Sequence, residues 1–227
     1  MSVMYDGFGN TVSVSGGSSP LKSLKCGILG DSITEGTGAS ETGKSYAGLL
    51  TNEFAALTNY GVGGSCLANK WQKPFVSRYS SMTSDLDVVI VFGGVNDFYA
   101  GVALGEADST TNTEFNGALN TIMDGLLSKY PGKEIVFITP PQCDNGSLAT
   151  NEANSAGKTM QDYVDAIKER CNYYSIPCLD LYSVSGMGIA VNDPQHTVYS
   201  SDGIHPNDAG HYRIYERIVG FLRGIMA

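Results

Sequence analysis

Basic residues are scarce in this chain: 14 lysines and arginines stand against 23 aspartates and glutamates, giving a formal charge of −9. The few cations are scattered, so nothing in the sequence could track a phosphate backbone, and nucleic acid is not an expected partner. No apolar run approaches the roughly 20 residues needed to span a bilayer, and no membrane span is expected. Five cysteines (Cys26, Cys66, Cys143, Cys171 and Cys178) make an odd count without Cys-x-x-Cys spacing. That argues against a disulfide framework or a zinc ribbon and predicts free thiols, with Cys26 and Cys171 packing as small apolar groups. There are three histidines, His196, His205 and His211, too thin a supply for a metal site even with Asp202 and Asp208 nearby. No Gly-x-Ser-x-Gly nucleophile elbow occurs, which excludes the standard α/β-hydrolase arrangement.

What is present fits one soluble domain. The 227 residues lie within the roughly 100–250 of a single domain. A hydrophobic content of 42% with 16% charged residues is ordinary for a globular fold. Gly16-Gly17-Ser18-Ser19-Pro20 reads as a linker, which makes residues 1–20 an appendage and residues 21–227 the domain. The first residues lack a basic stretch followed by an apolar one, so no secretion signal is recognised. A cytoplasmic protein, a processed mature form and a piece of a larger secreted or phage-tail protein would all read this way.

After Pro20, short apolar runs alternate with segments of helical period, the pattern of a parallel sheet covered by helices on both faces. The predicted strands are Lys25 to Gly30, Leu57 to Val62, Leu86 to Phe92, Glu134 to Thr139 and Ile176 to Leu181. Between them lie apolar stripes: Tyr46, Leu49, Leu50 and Phe54; Phe115, Leu119, Ile122, Met123, Leu126 and Leu127; Met160, Val164, Ile167, Cys171 and Tyr174; and finally Tyr215, Ile218, Val219 and Leu222. At this spacing they are core positions.

Open parallel sheets bind ligands at the carboxyl ends of their strands, so the residues just after each run carry the chemistry. There the chain reads Gly30-Asp31-Ser32-Ile33-Thr34, then Asn59 to Gly64, then Gly93-Gly94-Val95-Asn96-Asp97, and before the last helix Asp202-Gly203-Ile204-His205-Pro206. A serine needs a base, and histidine is the usual one at neutral pH. His211 falls within the last predicted helix and His196 in a polar loop without an orienting partner. His205 has Asp202 three residues upstream across a Gly203 turn, and Pro206 holds it extended. Asp202 can thus orient His205 as base for Ser32. Gly64 offers a backbone N–H and Asn96 a side-chain amide for an oxyanion. Each piece also has a plain structural reading: Asp31-Ser32 as a helix cap, Asp-Gly as a turn, His-Pro as a helix start. Their joint order favours catalysis.

These four blocks resemble those of the SGNH, or GDSL-type, hydrolases, in family order across residues 24–225. The resemblance implies a three-layer flavodoxin-like α/β fold with a five-stranded parallel sheet in the order 2-1-3-4-5, and ester hydrolysis without cofactor or metal. It implies Ser32 as nucleophile, His205 as base and Asp202 as its orienter. The oxyanion donors it implies are Ser32, through its backbone N–H, Gly64 and Asn96. Ile33 stands where the family name has leucine, a common variation.

A rival pattern exists, because Gly38 to Ser45 matches the Walker A motif letter for letter. Residues 31–37 separate it from its strand, however, and the run Val88 to Phe92 ends in glycines rather than a magnesium-binding aspartate. A binding module that has lost its activity is opposed by the intact serine, histidine and aspartate. For substrate, the long polar stretches Phe98 to Asn112 and Gln142 to Lys158 suggest an open cleft for a hydrated molecule. Asp31, Asp97, Phe98, Tyr99 and Trp71 are candidate contacts, the aromatics as platforms for sugar rings, with packing in the fold the safer reading of each aromatic. Short acyl groups, including acetyl esters of carbohydrate, are the favoured class. Thioesters, lysophospholipids and acyl transfer to an alcohol remain open.

Overall fold

The computed structural model describes residues 4–5, 11–12, 20–189 and 193–226. Five strands form one parallel sheet: β1 (Lys25–Gly30), β2 (Ala56–Gly61), β3 (Val88–Phe92), β4 (Glu134–Ile138) and β5 (Cys178–Leu179). Their order is 2-1-3-4-5, with Ile28 opposite both Asn59 and Ile90, and Ile90 opposite Val136. Because the strands are parallel, all their carboxyl ends lie on one edge.

The helices are α1 (Ser32–Glu35), α2 (Tyr46–Leu50), α3 (Phe75–Arg78), α4 (Val95–Tyr99), α5 (Phe115–Lys129), α6 (Met160–Tyr174), α7 (Leu181–Val184), α8 (Asp193–Tyr199) and α9 (Asp208–Ile225). Side chains alternate across a strand. Leu29, Val89, Val91, Ile135 and Phe137 therefore join a core with Leu119, Ile122 and Met123 of α5 and Val164 and Ile167 of α6. Ile28, Val88, Ile90, Val136 and Ile138 face the other way, toward Tyr46 and Leu50 of α2 and Ile214, Ile218 and Leu222 of α9. Full burial of each such side chain contributes about 1.5–3 kcal/mol. All five cysteines are free thiols, and four of them are buried.

Several boundaries differ from expectation. The predicted fifth strand, Ile176 to Leu181, shrinks to two residues. Pro177 has no N–H to pair, and Asp180 caps α7 by accepting from the Ser183 N–H. Helix α2 stops at Leu50, although Phe54 still packs in the core. His196 lies in α8 rather than a loop. The stretch from Gln142 to Lys158 is pinned at several points: Thr150 is fully buried, and the Asn154 amide donates to Phe98 O and Tyr163 Oη at 2.8 and 2.9 Å. Near the amino terminus, Met4–Tyr5 pairs antiparallel with Thr11–Val12. Most of the expected appendage, including the linker from Gly16 to Ser19, lies outside the described residues. Among the described residues, no helix is long and apolar enough to cross a membrane.

Candidate active site

Ser32 is placed by the sharpness of the turn that follows β1. A Cβ on Gly30 would lie 1.8 Å from Thr34 Oγ1, so only glycine lets the chain fold straight into α1. Asp31 caps that helix, its Oδ1 accepting from the Ile33 N–H at 3.0 Å. Ser32 is thus the first helical residue, where a backbone N–H has no partner within the helix.

The fourth block closes over it from the other end of the chain. Asp202 Oδ1 accepts from the backbone N–H groups of Ile204 and His205 at 2.9 and 2.7 Å, and its Oδ2 lies 2.7 Å from His205 Nδ1. His205 Nε2 lies 2.9 Å from Ser32 Oγ. Gly203 adopts φ +81°, and a Cβ there would lie 1.7 Å from Asp144 O, so the turn requires glycine. Ser200 steadies it, accepting from Gly203 N–H and donating to His205 O, both at 2.8 Å. Burial pushes the Asp202 carboxyl up, but the bonds from the His205 ring and from the backbone N–H groups of His205 and Ile204 outweigh it and bring it down to about 2. An ionised Asp202 assigns the ring proton to Nδ1 and leaves Nε2 free to accept from Ser32.

Three donors stand on the connections that follow β1, β2 and β3. Among the described residues, the backbone N–H groups of Ser32 and Gly64 donate to no protein acceptor. Gly64 adopts φ +70°, which favours glycine. Asn96 spends one amide hydrogen on Ser65 O at 3.0 Å, which leaves the second available.

Of the five expected substrate contacts, three prove to be scaffold. Asp31 is the α1 cap. Asp97 accepts from the N–H groups of Leu67 and Ala68 at 2.8 and 3.0 Å, so it clasps the loop after β2. Burial pushes each of these carboxyls up to about 7. Phe98 is fully buried, edge-on to Tyr99 and Tyr163 at 5.1 and 6.0 Å. The cause is the helical period: Val95, Asp97 and Phe98 of α4 turn inward, whereas Asn96 and Tyr99 are only partly buried. Tyr99 sets its hydroxyl 3.4 Å from Cys143 Sγ. Trp71 keeps 42% of its surface exposed.

The Walker-like segment is used differently from a phosphate cradle. A Cβ on Gly38 would meet Pro206 O at 2.2 Å, so that glycine serves the close approach of two loops. Lys44 is paired on the surface with Asp208 at 3.2 Å and Glu41 at 3.6 Å. His211 is fully buried, bonded to Tyr46 N–H and Thr37 O, as its place in α9 predicts. Replacing Lys44 by alanine is therefore expected to leave kcat and KM within about twofold, since exposed ion pairs contribute little. Steady-state kinetics checks this, together with a nucleotide-binding titration expected to show no Lys44-dependent signal.

The model of the GDSL-like lipase/acylhydrolase family matches residues 28–213, a span that holds Ser32, Gly64, Asn96, Asp202 and His205. No curated protein matches the chain. Among solved structures, a protein from Lactobacillus plantarum is 30% identical, covering 89% of this chain and 98% of its own at a TM-score of 0.82. A possible lipase from Chitinophaga pinensis is 22% identical, over 89% of this chain and 98% of its own, with a TM-score of 0.71. A two-domain esterase active on acetylated mannans is 19% identical, over 92% of this chain and 51% of its own, with a TM-score of 0.65. The last two show likeness of fold alone. With the family model spanning most of the chain, this protein belongs to the GDSL-like lipase/acylhydrolase family of ester-bond hydrolases.

Proposed function

We propose that the chain hydrolyses short-chain carboxylic esters through an acyl-enzyme, with Ser32 as nucleophile, His205 as base and Asp202 as its orienter, and with acetyl esters of carbohydrate as the favoured substrates. The observation that carries this reading is the unbroken series of bonds from Asp202 Oδ2 through the His205 ring to Ser32 Oγ, at 2.7 and 2.9 Å. Ser32 Oγ attacks the ester carbonyl carbon while its proton passes to His205 Nε2. The carbonyl π pair moves onto oxygen, and that oxyanion accepts from Ser32 N–H, Gly64 N–H and the second amide hydrogen of Asn96. Collapse expels the alkoxide, which takes the proton from His205. Water then attacks the acyl-enzyme, His205 takes its proton, and Ser32 departs with it, releasing the acid.

The exposed Trp71 ring, in the connection after Gly64, offers a surface on which a sugar can stack and supports carbohydrate esters as the substrate class. The structural neighbour active on acetylated mannans supports the same class. If the acyl site is shallow, added methylenes find little apolar surface to bury. Across p-nitrophenyl esters, kcat/KM is expected to fall by about tenfold or more from acetyl and butyryl to octanoyl and longer, the reverse of about 0.8 kcal/mol gained per buried methylene. Acetate release from acetylated mannan or xylan is expected alongside. A preference rising with chain length would point to a lipid-directed channel, and faster turnover of acyl thioesters or lysophospholipids would move the protein to those classes of the family.

A further inference from the structure

We propose that Arg78 is the positioning residue of the oxyanion hole, an inference that rests on the reading of Ser32, Gly64 and Asn96 given above. The three donors stand on three separate connections, after β1, β2 and β3, so something must fix one against another. Arg78, the last residue of α3, reaches two of these connections. Its Nη2 donates to Gly30 O at 3.0 Å, two residues before Ser32. Its Nη1 donates to Tyr60 O at 2.7 Å, at the end of β2. Nη2 also donates to Ser65 Oγ at 3.0 Å, and Nε donates to Lys73 O at 2.7 Å.

Ser65 carries the coupling to the third connection. It follows Gly64 directly, and its carbonyl is the acceptor that orients the Asn96 amide. Its hydroxyl donates to Val62 O at 2.8 Å and accepts from Arg78. A shift of Ser65 would therefore move the Gly64 N–H through the backbone and the Asn96 amide through its bond. The neighbouring clasps act elsewhere on the loop: Glu35 accepts from Gly63 N–H, and Asp97 accepts from Leu67 and Ala68.

The chemistry of the guanidinium suits this task. Four acceptors in different directions need a planar fork with several donors, which a lysine ammonium cannot reproduce. The fork is itself held in place, lying 5.1 Å from the centroid of the fully buried Phe75 ring. Among the described residues, Arg78 forms no ion pair with a carboxylate. Its bonds go instead to backbone carbonyls and the Ser65 hydroxyl of the scaffold that presents the three N–H groups. A misplacement of about 1 Å in such a scaffold can cost on the order of 10²-fold in rate.

The test measures kcat, KM and the inhibition constant of a trifluoromethyl ketone, whose serine adduct places an oxyanion in the hole. All rates are expressed per active site titrated. Arg78→Met is expected to lower kcat by about 10–100-fold with KM within about twofold, and to raise the inhibition constant in proportion to the loss in kcat/KM. Arg78→Lys is expected to recover only part of the loss. Combined with Asn96→Ala, Arg78→Met is expected to cost less than the product of the two single effects, because both act on one constellation. Ser65→Ala, which removes only the hydroxyl that Arg78 holds, is expected to change kcat and the inhibition constant in the same sense, by about three- to tenfold. It keeps the proposal testable should Arg78→Met not fold. Full kcat and an unchanged inhibition constant in the folded variants, with only the melting temperature lowered, would overturn the proposal. If wild type resists the ketone and Ser32→Ala keeps its activity, it is the reading of the site itself that fails.

Discussion

Replacing Ser32 by alanine is expected to lower kcat on an acetyl ester by about 10⁴ or more, because no atom is left to form the acyl-enzyme. Asp31, not Ser32, supplies the side-chain cap of α1, and the part proposed for Ser32 in the oxyanion hole uses its backbone N–H, which alanine keeps. The variant should therefore fold, bind substrate and retain a residual rate above that of water from the oxyanion hole alone. Steady-state kinetics, with circular dichroism to verify folding, measures the loss. A folded Ser32→Ala protein that turns over esters at the wild-type rate would end the serine-nucleophile reading.

The second large effect is expected at Asp202. Asparagine in its place can still accept from the Ile204 and His205 N–H groups through Oδ1, so the turn survives. Where the carboxylate accepted from Nδ1, however, the amide nitrogen donates. His205 is then driven to the opposite tautomer, with its proton on Nε2 facing Ser32 Oγ and no lone pair to receive the serine proton. A loss in kcat of about 10³–10⁴ is expected, with KM little changed. If activity were retained in Asp202→Asn, the aspartate would be a turn residue only, and another group would have to orient the ring.

Much of the architecture is legible in the residues because it follows from local periodicity. Apolar runs such as Val88 to Phe92 have no polar face and so read as strands buried on both sides, and the stripes from Phe115 and Met160 have helical spacing. The strand ends then mark where Ser32, Gly64 and Asn96 emerge, and Asp202 and His205 sit close enough in sequence for one turn to join them. Local pattern says less at Asp97 and Phe98, candidate contacts beside Asn96: the rotation of a short helix turns both inward, Phe98 to the packing role that was its safer reading, and leaves Asn96 on the outer side.

What the sequence by itself determined, then, is whatever a repeating pattern or a tight turn encodes: the alternation of strands and helices, the glycines that permit each turn, and the residue types available for acyl transfer. Tertiary structure alone decided which distant groups meet. Ser32 and His205 are separated by 173 positions yet lie 2.9 Å apart, and Gly38, part of a nucleotide-binding pattern by its letters, is a glycine because Pro206 O leaves no room for a Cβ. Arg78 carries no motif at all, and its place beneath Gly30, Tyr60 and Ser65 exists only once β1 and β2 lie side by side. The physical reason is that periodicity is a property of neighbours along the chain, whereas a hydrogen bond between two loops depends on how the sheet stacks the strands that end in them.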